Sequence, residues 1–336
     1  MPDPLPFERL IDAQGAPTFG CFDAIPMTLG SEHFDYRNEM DNKASRLAKH
    51  FHFKQFQFVS VFTERYVIGI ALADIRYLTT GFCYLYDRDH NRLIENSWLR
   101  PLGFSSQMST SSYQGQSSIA GGALKFEFHQ GQWRICVNCQ SLVCELRLTP
   151  ANNSLPLALC TPTGYSGWTY TQKHNALKVN GTLQVNGYQV DLSNALAGYD
   201  FSAGYMRRET SWRWASISAA CGEVSLGLNL AAGVNETGGS ENTLWVDGQR
   251  DLLGAVQFHF KRDDLEFPWK ITSQDGRINL TFEPLNLRSE KLNLGVLKSN
   301  FRQFIGNFSG EIIGSDGTVH RLDQIIGLTE DHFAKW

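Results

Sequence analysis

The chain has 336 residues, room for two domains, with 42% hydrophobic and 19% charged residues and a net charge of −4. Its Lys and Arg are dispersed, which excludes the electrostatic footprint of a nucleic-acid binder. No apolar run approaches the ~18 residues of a membrane helix, and Met1–Leu10 shows neither the basic nor the apolar part of a signal peptide. A cytoplasmic protein with no integral membrane segment and no nucleic-acid partner is the expectation.

Residues 1–37 carry Pro2, Pro4, Pro6, Pro17 and Pro26 and read as an irregular arm laid over the surface. Glu39 to His50 is the best helical candidate. Asp41, Asn42 or Ser45 can start it, and Ala44, Leu47 and Ala48 are spaced for one face. From Phe51 onward period two takes over, with Phe56, Phe58, Ser60 and Phe62 alternating with Gln57, Val59 and Val61. Tyr66 to Tyr77, Phe82 to Tyr86 and Leu93 to Leu99 continue as strands. Residues 104–122 are rich in Ser, Gln and Gly, and read as a surface loop or a lid over a cavity mouth. Leu124 to Phe128, Trp133 to Val137 and Leu142 to Leu148 form a meander. Asn180-Gly181 and Asn186-Gly187 signal hairpin turns, because that pair tolerates positive φ.

The pattern repeats after residue 217. Val224, Leu226, Leu228 and Leu230 alternate with Ser225, Gly227 and Asn229, and turns at Asp247-Gly248, Asp275-Gly276 and Asp316-Gly317 separate the later strands. Strands every 8–12 residues argue antiparallel barrels rather than βαβ units. About eight strands fall in each half, and eight can close a barrel around one small ligand. The fold class predicted is all-β: two consecutive antiparallel barrels with few short helices, an N-terminal one over 1–197 and a C-terminal one over 198–336.

Familiar chemistry is missing. There is no dinucleotide or phosphate-loop glycine motif, no G-x-S-x-G elbow and no H-E-x-x-H. Of nine His only His50 and His52 are close together, too few for zinc. The seven Cys read as reduced thiols packed as small hydrophobes. Cys136 and Cys139 match C-x-x-C, but on a strand they point to opposite faces. No metal and no cofactor is expected.

The densest patch of chemistry is Tyr199 to Ile217, with Asp200, Glu209, Arg207, Arg208, Arg213, Trp212 and Trp214. On a strand Trp212 and Trp214 share one face, and Arg213 and Ala215 the other. Arg207 and Glu209 share a face and could pair. If the stretch lines a cavity, a carboxyl and two indoles converge there. Burial disfavours the charged carboxylate, which suits a general acid, and indole faces stabilise a cation. The competing reading is a structural ion-pair lattice of Arg207, Arg208, Asp200 and Glu209 joining two halves, with the Trp as core.

The segment Tyr199-Asp-Phe-Ser-Ala-Gly-Tyr-Met-Arg-Arg-Glu-Thr-Ser-Trp-Arg-Trp-Ala-Ser216 resembles the central motif of the bacterial domain of unknown function 2804 family. Ala73-Asp-Ile-Arg-Tyr77 with Phe82-Cys-Tyr84, Glu241-Asn-Thr-Leu-Trp-Val-Asp-Gly248, Gly306-Asn-Phe-Ser-Gly310 with Asp316-Gly317, and Gly327-Leu-Thr-Glu-Asp-His-Phe-Ala-Lys-Trp336 follow in the same order. That family is distantly similar to hydroxyneurosporene synthase and related double-lipocalin proteins. The resemblance implies two lipocalin-like (calycin) barrels and a small-molecule role. Hydroxyneurosporene synthase adds water to an isoprenoid double bond. Where its motif has His and Trp, this chain has Phe201 and Ala203; Asp200 and Gly204 are kept.

The expected partner is a small apolar or amphipathic molecule, lipid or isoprenoid-like, in a barrel cavity. An acid-catalysed hydratase, cyclase or isomerase is the alternative, and a structural or interaction protein the third. Asp200 and Glu209 are the catalytic candidates. Tyr205, Arg207, Arg208, Trp212, Trp214, Asn229, Glu241, Asn242 and Trp245 are the ligand-binding candidates. Oligomeric state is not legible.

Overall fold

The computed structural model describes residues 7–336 apart from Thr237. Pro2, Pro4 and Pro6 of the expected arm lie outside the described residues. Among these residues the architecture is all-β: two curled antiparallel sheets of 14 and 9 strands, in the manner of a double lipocalin-like fold. One α-helix, Arg46–His52, is present, capped by Ser45, whose hydroxyl accepts from Ala48 N at 3.1 Å. Leu47 is exposed, so the helix buries no apolar stripe.

The first sheet runs, edge inward, through Arg92–Pro101, Leu78–Asp87, Tyr66–Asp74, Lys54–Phe62, Leu196–Gly204 and Gly167–Val185, then on through the 106–149 meander. The second runs Val224–Ala232, Glu209–Cys221, Val319–Lys335, Lys298–Ile313, Ile278–Asn293, with shorter strands at both edges. The change of sheet falls between Gly204 and Glu209. Leu196–Gly204, of which residues 198–204 are grouped with the second barrel in the sequence reading, pairs with Lys54–Phe62 on one side and Gly167–Val185 on the other. Local pattern could not show this, because its partners lie 18 or more residues upstream.

The 104–122 stretch is not a lid. It contributes Gln114–Ile119 to the first sheet, and its serines reach into that barrel: Ser112 Oγ donates to the buried Gln172 at 2.5 Å, and Ser109 O accepts from Gln55 Nε2 at 2.8 Å. Cys139 lies just past the Gln132–Asn138 strand, with its sulfur 3.6 Å from that of Cys83 rather than facing Cys136.

Alternation divides each strand into two destinations. Val59, Val61, Ile68, Ile70, Tyr199, Phe201 and Trp133 fill the interior of the first barrel. Ile217, Leu228, Leu280, Phe282, Phe308 and Trp269 fill that of the second. The opposite faces meet in a third apolar layer, where Phe58, Phe62, Ala71, Phe82 and Tyr84 pack on Trp214, Phe301, Ile305 and Leu328. Two fully buried aliphatic or aromatic side chains contribute about 3–6 kcal/mol by transfer, so a dozen residues in this layer bind the sheets firmly together.

A bulge between His174 and Leu177 pins that contact. Asn175 Nδ2 donates to Ser216 Oγ, Ile217 O and Leu228 O at 2.8, 3.0 and 2.7 Å, and Ala176, at φ 57°, donates its N–H to Ser218 Oγ at 3.0 Å. Gly227 makes room for it; a Cβ there would sit 2.8 Å from Asn175 Cβ.

Candidate functional site

Both barrels are filled by their own side chains, and the cavity lies between the sheets. It measures about 220 Å³ and has mostly apolar walls. Register builds it. On the first sheet Lys173, Asp200, Phe58, Ala71 and Phe82 stand side by side on successive strands, and the next row is Ser202, Phe56, Ala73 and Thr80. On the second sheet one row is Trp214, Glu330, Gln303 and Arg288, the next Trp212, His332, Phe301 and Glu290, and the outermost Thr210, Ala334, Ser299 and Leu292. Beyond the Trp214 row, Ile305 and Leu328 close the space by packing.

Two polar centres break the apolar walls. The first is a buried lysine between two carboxylates. Lys173 Nζ bonds Asp200 Oδ2 and lies 3.0 Å from Glu241 Oε2. Ser202 Oγ donates to Asp200 Oδ1 at 2.9 Å, and Asn235 Nδ2 to Glu241 Oε1 at 3.0 Å. The ammonium also sits 5.9 Å from the Trp214 ring centre, within cation–π reach. All three ionisable groups are buried, and two negative charges share one positive. Burial raises the Asp200 pKa; Lys173 pulls it back and Glu241 pushes it further up. Burial opposes the Lys173 charge, but the two carboxylates outweigh it and raise its pKa.

The second centre is Glu330. Trp212 Nε1 donates to Oε1 at 2.8 Å, and Gln303 Nε2 to Oε2 at 3.1 Å. Gln303 is fixed from the other sheet by the Tyr84 hydroxyl, which donates to its Oε1 at 2.6 Å. His332 Nδ1 stands 3.7 Å from Glu330 Oε1, and its Nε2 is 2.9 Å from Ser299 Oγ. The imidazole packs between Trp212, 4.3 Å between ring centres, and Phe301, 5.0 Å. Glu330 is 5% exposed, and among the described residues no Lys or Arg pairs with it. A buried carboxylate held only by neutral donors keeps lone pairs for a ligand O–H or N–H, or for a proton. Arg288 lies flat on Phe82, 3.8 Å from the ring centre, and spends its charge on Glu95 and Glu290, each at 3.0 Å.

Of the sequence candidates, Asp200, Trp212, Trp214 and Glu241 line the cavity. Asn229 stands behind it, accepting from Trp214 Nε1 at 2.7 Å and donating to Glu241 O at 2.7 Å. Tyr205 belongs to an aromatic cluster of the first barrel with Phe34, Tyr36, Phe53 and Trp168. Trp245 donates to Leu155 O at 2.9 Å, and Asn242 caps backbone at Ala231 and Gly254. Glu209 pairs with Lys335 and Arg207 with Glu236, both near solvent, so these two do not pair with each other. Arg208 is exposed, and its carbonyl accepts from Trp336 N. Neither arginine touches Asp200. Phe201 and Ala203 point into the first barrel, away from Asp200.

Lys173, Glu330 and His332 were not singled out by sequence. Lys173 sits in the long strand Gly167–Val185, among polar neighbours that give it no distinguishing pattern. Glu330 and His332 sit two apart in the last strand, the spacing of one face, which is a weak signal that was available. Among the described residues no cluster of His, Cys, Asp and Glu has the form of a metal site.

Comparison with known proteins places the architecture. Kievitone hydratase from Nectria haematococca superposes with a TM-score of 0.52 at 14% identity, over 98% of each chain. A protein assigned as AttH from Nitrosomonas europaea superposes with a TM-score of 0.50 at 12% identity, over 84% of this chain and 91% of the other. At such identities the likeness is one of fold. No protein of curated function matches. The family model described as Domain of unknown function (DUF2804) matches residues 31–336.

Proposed function

The chain belongs to the DUF2804 family, and we propose that it binds a small, largely apolar molecule bearing hydroxyl or carbonyl groups in the cavity between its sheets. The observation that supports this most is Glu330: a buried carboxyl group that no Lys or Arg pairs with among the described residues, on a wall of Trp212, His332 and Phe301. A buried carboxyl group that two neutral donors satisfy only in part has acceptor capacity left for a polar group of a ligand. At about 220 Å³ the space falls below the roughly 300–1,000 Å³ of drug-sized sites. It suits a compact molecule, or the head of a longer one whose tail leaves through the mouth. Native mass spectrometry of the purified protein tests the reading. A co-purified small molecule that is lost in Glu330→Gln supports it; a molecule retained in that variant, or none after exposure to cell extract, refutes it.

A second reading is proton-transfer chemistry of hydratase or isomerase type, and the Lys173 cluster favours it. Asp200, with its pKa raised, would pass a proton to an alkene carbon. Trp212 and Trp214 would shelter the resulting cation. Water would then add to the neighbouring, cationic carbon, giving its proton to Glu330. That one structural neighbour is named a hydratase is compatible with this. Glu209, solvent-facing and paired with Lys335, has no part in it. Captured ligand incubated in D₂O gains deuterium at carbon with the native protein and not with Asp200→Asn; equal incorporation by both removes Asp200 from the chemistry.

A further inference from the structure

Toward one end of the molecule the cavity is lined by Ile75 and Leu78 on the first sheet's side and by Leu292 and Leu297 on the second's, together with the exposed Glu290 and Lys298, so its lining reaches the surface there. Two apolar tips project beside this mouth. On the second sheet the turn after Leu292 carries Leu294 and Val296, 59% and 64% exposed. On the first, Leu102 N donates to Tyr77 O at 2.9 Å, so the loop after Pro101 lies against the neighbour of Leu78. It presents Leu102 and Phe104, 71% and 79% exposed.

Strand direction puts both tips at the same end. Ile278–Asn293 runs alongside Arg92–Pro101 in the same sense: Asn286 bonds Asn91 at 3.0 Å, and Arg288 reaches Glu95 at 3.0 Å. Advancing from Arg288 to Leu294 therefore moves toward Leu102. Lys291 and Lys298 flank the second tip; both are exposed and neither joins an ion pair among the described residues.

Four large apolar side chains held in water around the opening of an apolar cavity, with unpaired ammonium groups beside them, match one partner chemistry better than a protein surface. Isolated protruding tips offer no broad complementary face, but they insert readily at the boundary of headgroup and acyl chain, and lysines there attract anionic headgroups. We propose that this end of the molecule docks on an anionic lipid bilayer, with Leu102, Phe104, Leu294 and Val296 inserted and the cavity mouth against the lipid. What would pass through the mouth rests on the ligand reading above; the docking does not.

The test is flotation of the full chain with vesicles of phosphatidylcholine alone or mixed with phosphatidylglycerol. The native protein is expected to float with the anionic vesicles, and less so as salt rises. Leu102→Ser with Phe104→Ser, and Leu294→Ser with Val296→Ser, should each weaken binding about tenfold or more. Lys291→Glu with Lys298→Glu should weaken it by on the order of fivefold per lysine or more. Tyr188→Ser with Val319→Ser, exposed at the far ends of their strands, should leave it unchanged. Native protein that floats with neither vesicle overturns the proposal. So do tip variants that float like native protein, since charge alone would then account for adsorption. Native mass spectrometry of the same preparations separates the two readings: bound ligand without vesicle binding removes only the docking, and vesicle binding without ligand removes only the cavity reading.

Discussion

Replacing Lys173 by Met removes the cation that, among the described residues, alone pairs with the two buried carboxylates Asp200 and Glu241. The amine lies 3.0 Å from Glu241 and closer to Asp200. At an effective dielectric of ~20 each contact is worth about 5 kcal/mol before desolvation. Desolvation cancels much of this in the native protein, but not in the variant, where both carboxylates stay buried. Breaking such a pair costs about 3–5 kcal/mol. The loss depends on pH in a defined sense. The folded Asp200 pKa already lies above its ordinary 3.8. A carboxyl raised in this way supports the fold below its unfolded pKa, and that support fades as pH rises through the folded value. Without Lys173 the folded value climbs further, so the variant loses more at about pH 7 than at about pH 4.5. Urea unfolding of native, Lys173→Met and Lys173→Met/Asp200→Asn protein at both values measures this. The double variant should recover at least about 1 kcal/mol at neutral pH. A single-variant loss below about 1 kcal/mol, or one equal at both pH values, refutes the account of the cluster.

Three further outcomes follow from the geometry. Glu330→Gln keeps size but leaves one acceptor oxygen for the two donors Trp212 Nε1 and Gln303 Nε2, so its unfolding free energy should change by no more than about 1–2 kcal/mol, while the Trp212 emission changes and ligand capture falls at least about tenfold. Burial holds the His174 pKa down to about 3, and the neutral ring bonds Ser154 Oγ at 2.7 Å. Its contribution is complete above the ordinary 6.5 and is lost as pH falls toward 3, by on the order of 4 kcal/mol, a slope that His174→Gln should flatten in denaturant midpoints against pH. Gly227→Ala drives a methyl into Asn175 and should lower stability by about 1–3 kcal/mol in chemical denaturation.

Much of the fold was legible because alternation is a local signal. Trp212 and Trp214 do share a face, and Phe56, Phe58 and Phe62 face away from Val59 and Val61. Which strand neighbours which is not local. Asp200 takes its site from Lys173, 27 residues back, and from Glu241, 41 ahead; Glu330 takes its from Trp212, 118 residues away. A dense run of charges drew notice to residues 199–217, yet two of its five charged residues, Arg207 and Glu209, are held in solvent-facing pairs with Glu236 and Lys335. The informative charges are the buried ones. Sequence does not separate them from their polar neighbours: Lys173 stands between Gln172 and His174, and Glu330 between Thr329 and Asp331.

The cavity belongs to neither barrel. Each half has its own filled interior, so each could gain a core before the two meet, and the lining of the site would come into being only at their docking. A ligand held there touches both sheets and so adds its binding free energy, RT ln(1 + [L]/Kd), to their association. Occupancy would then set how the molecule comes apart: as one cooperative unit when filled, and in two separable steps when empty.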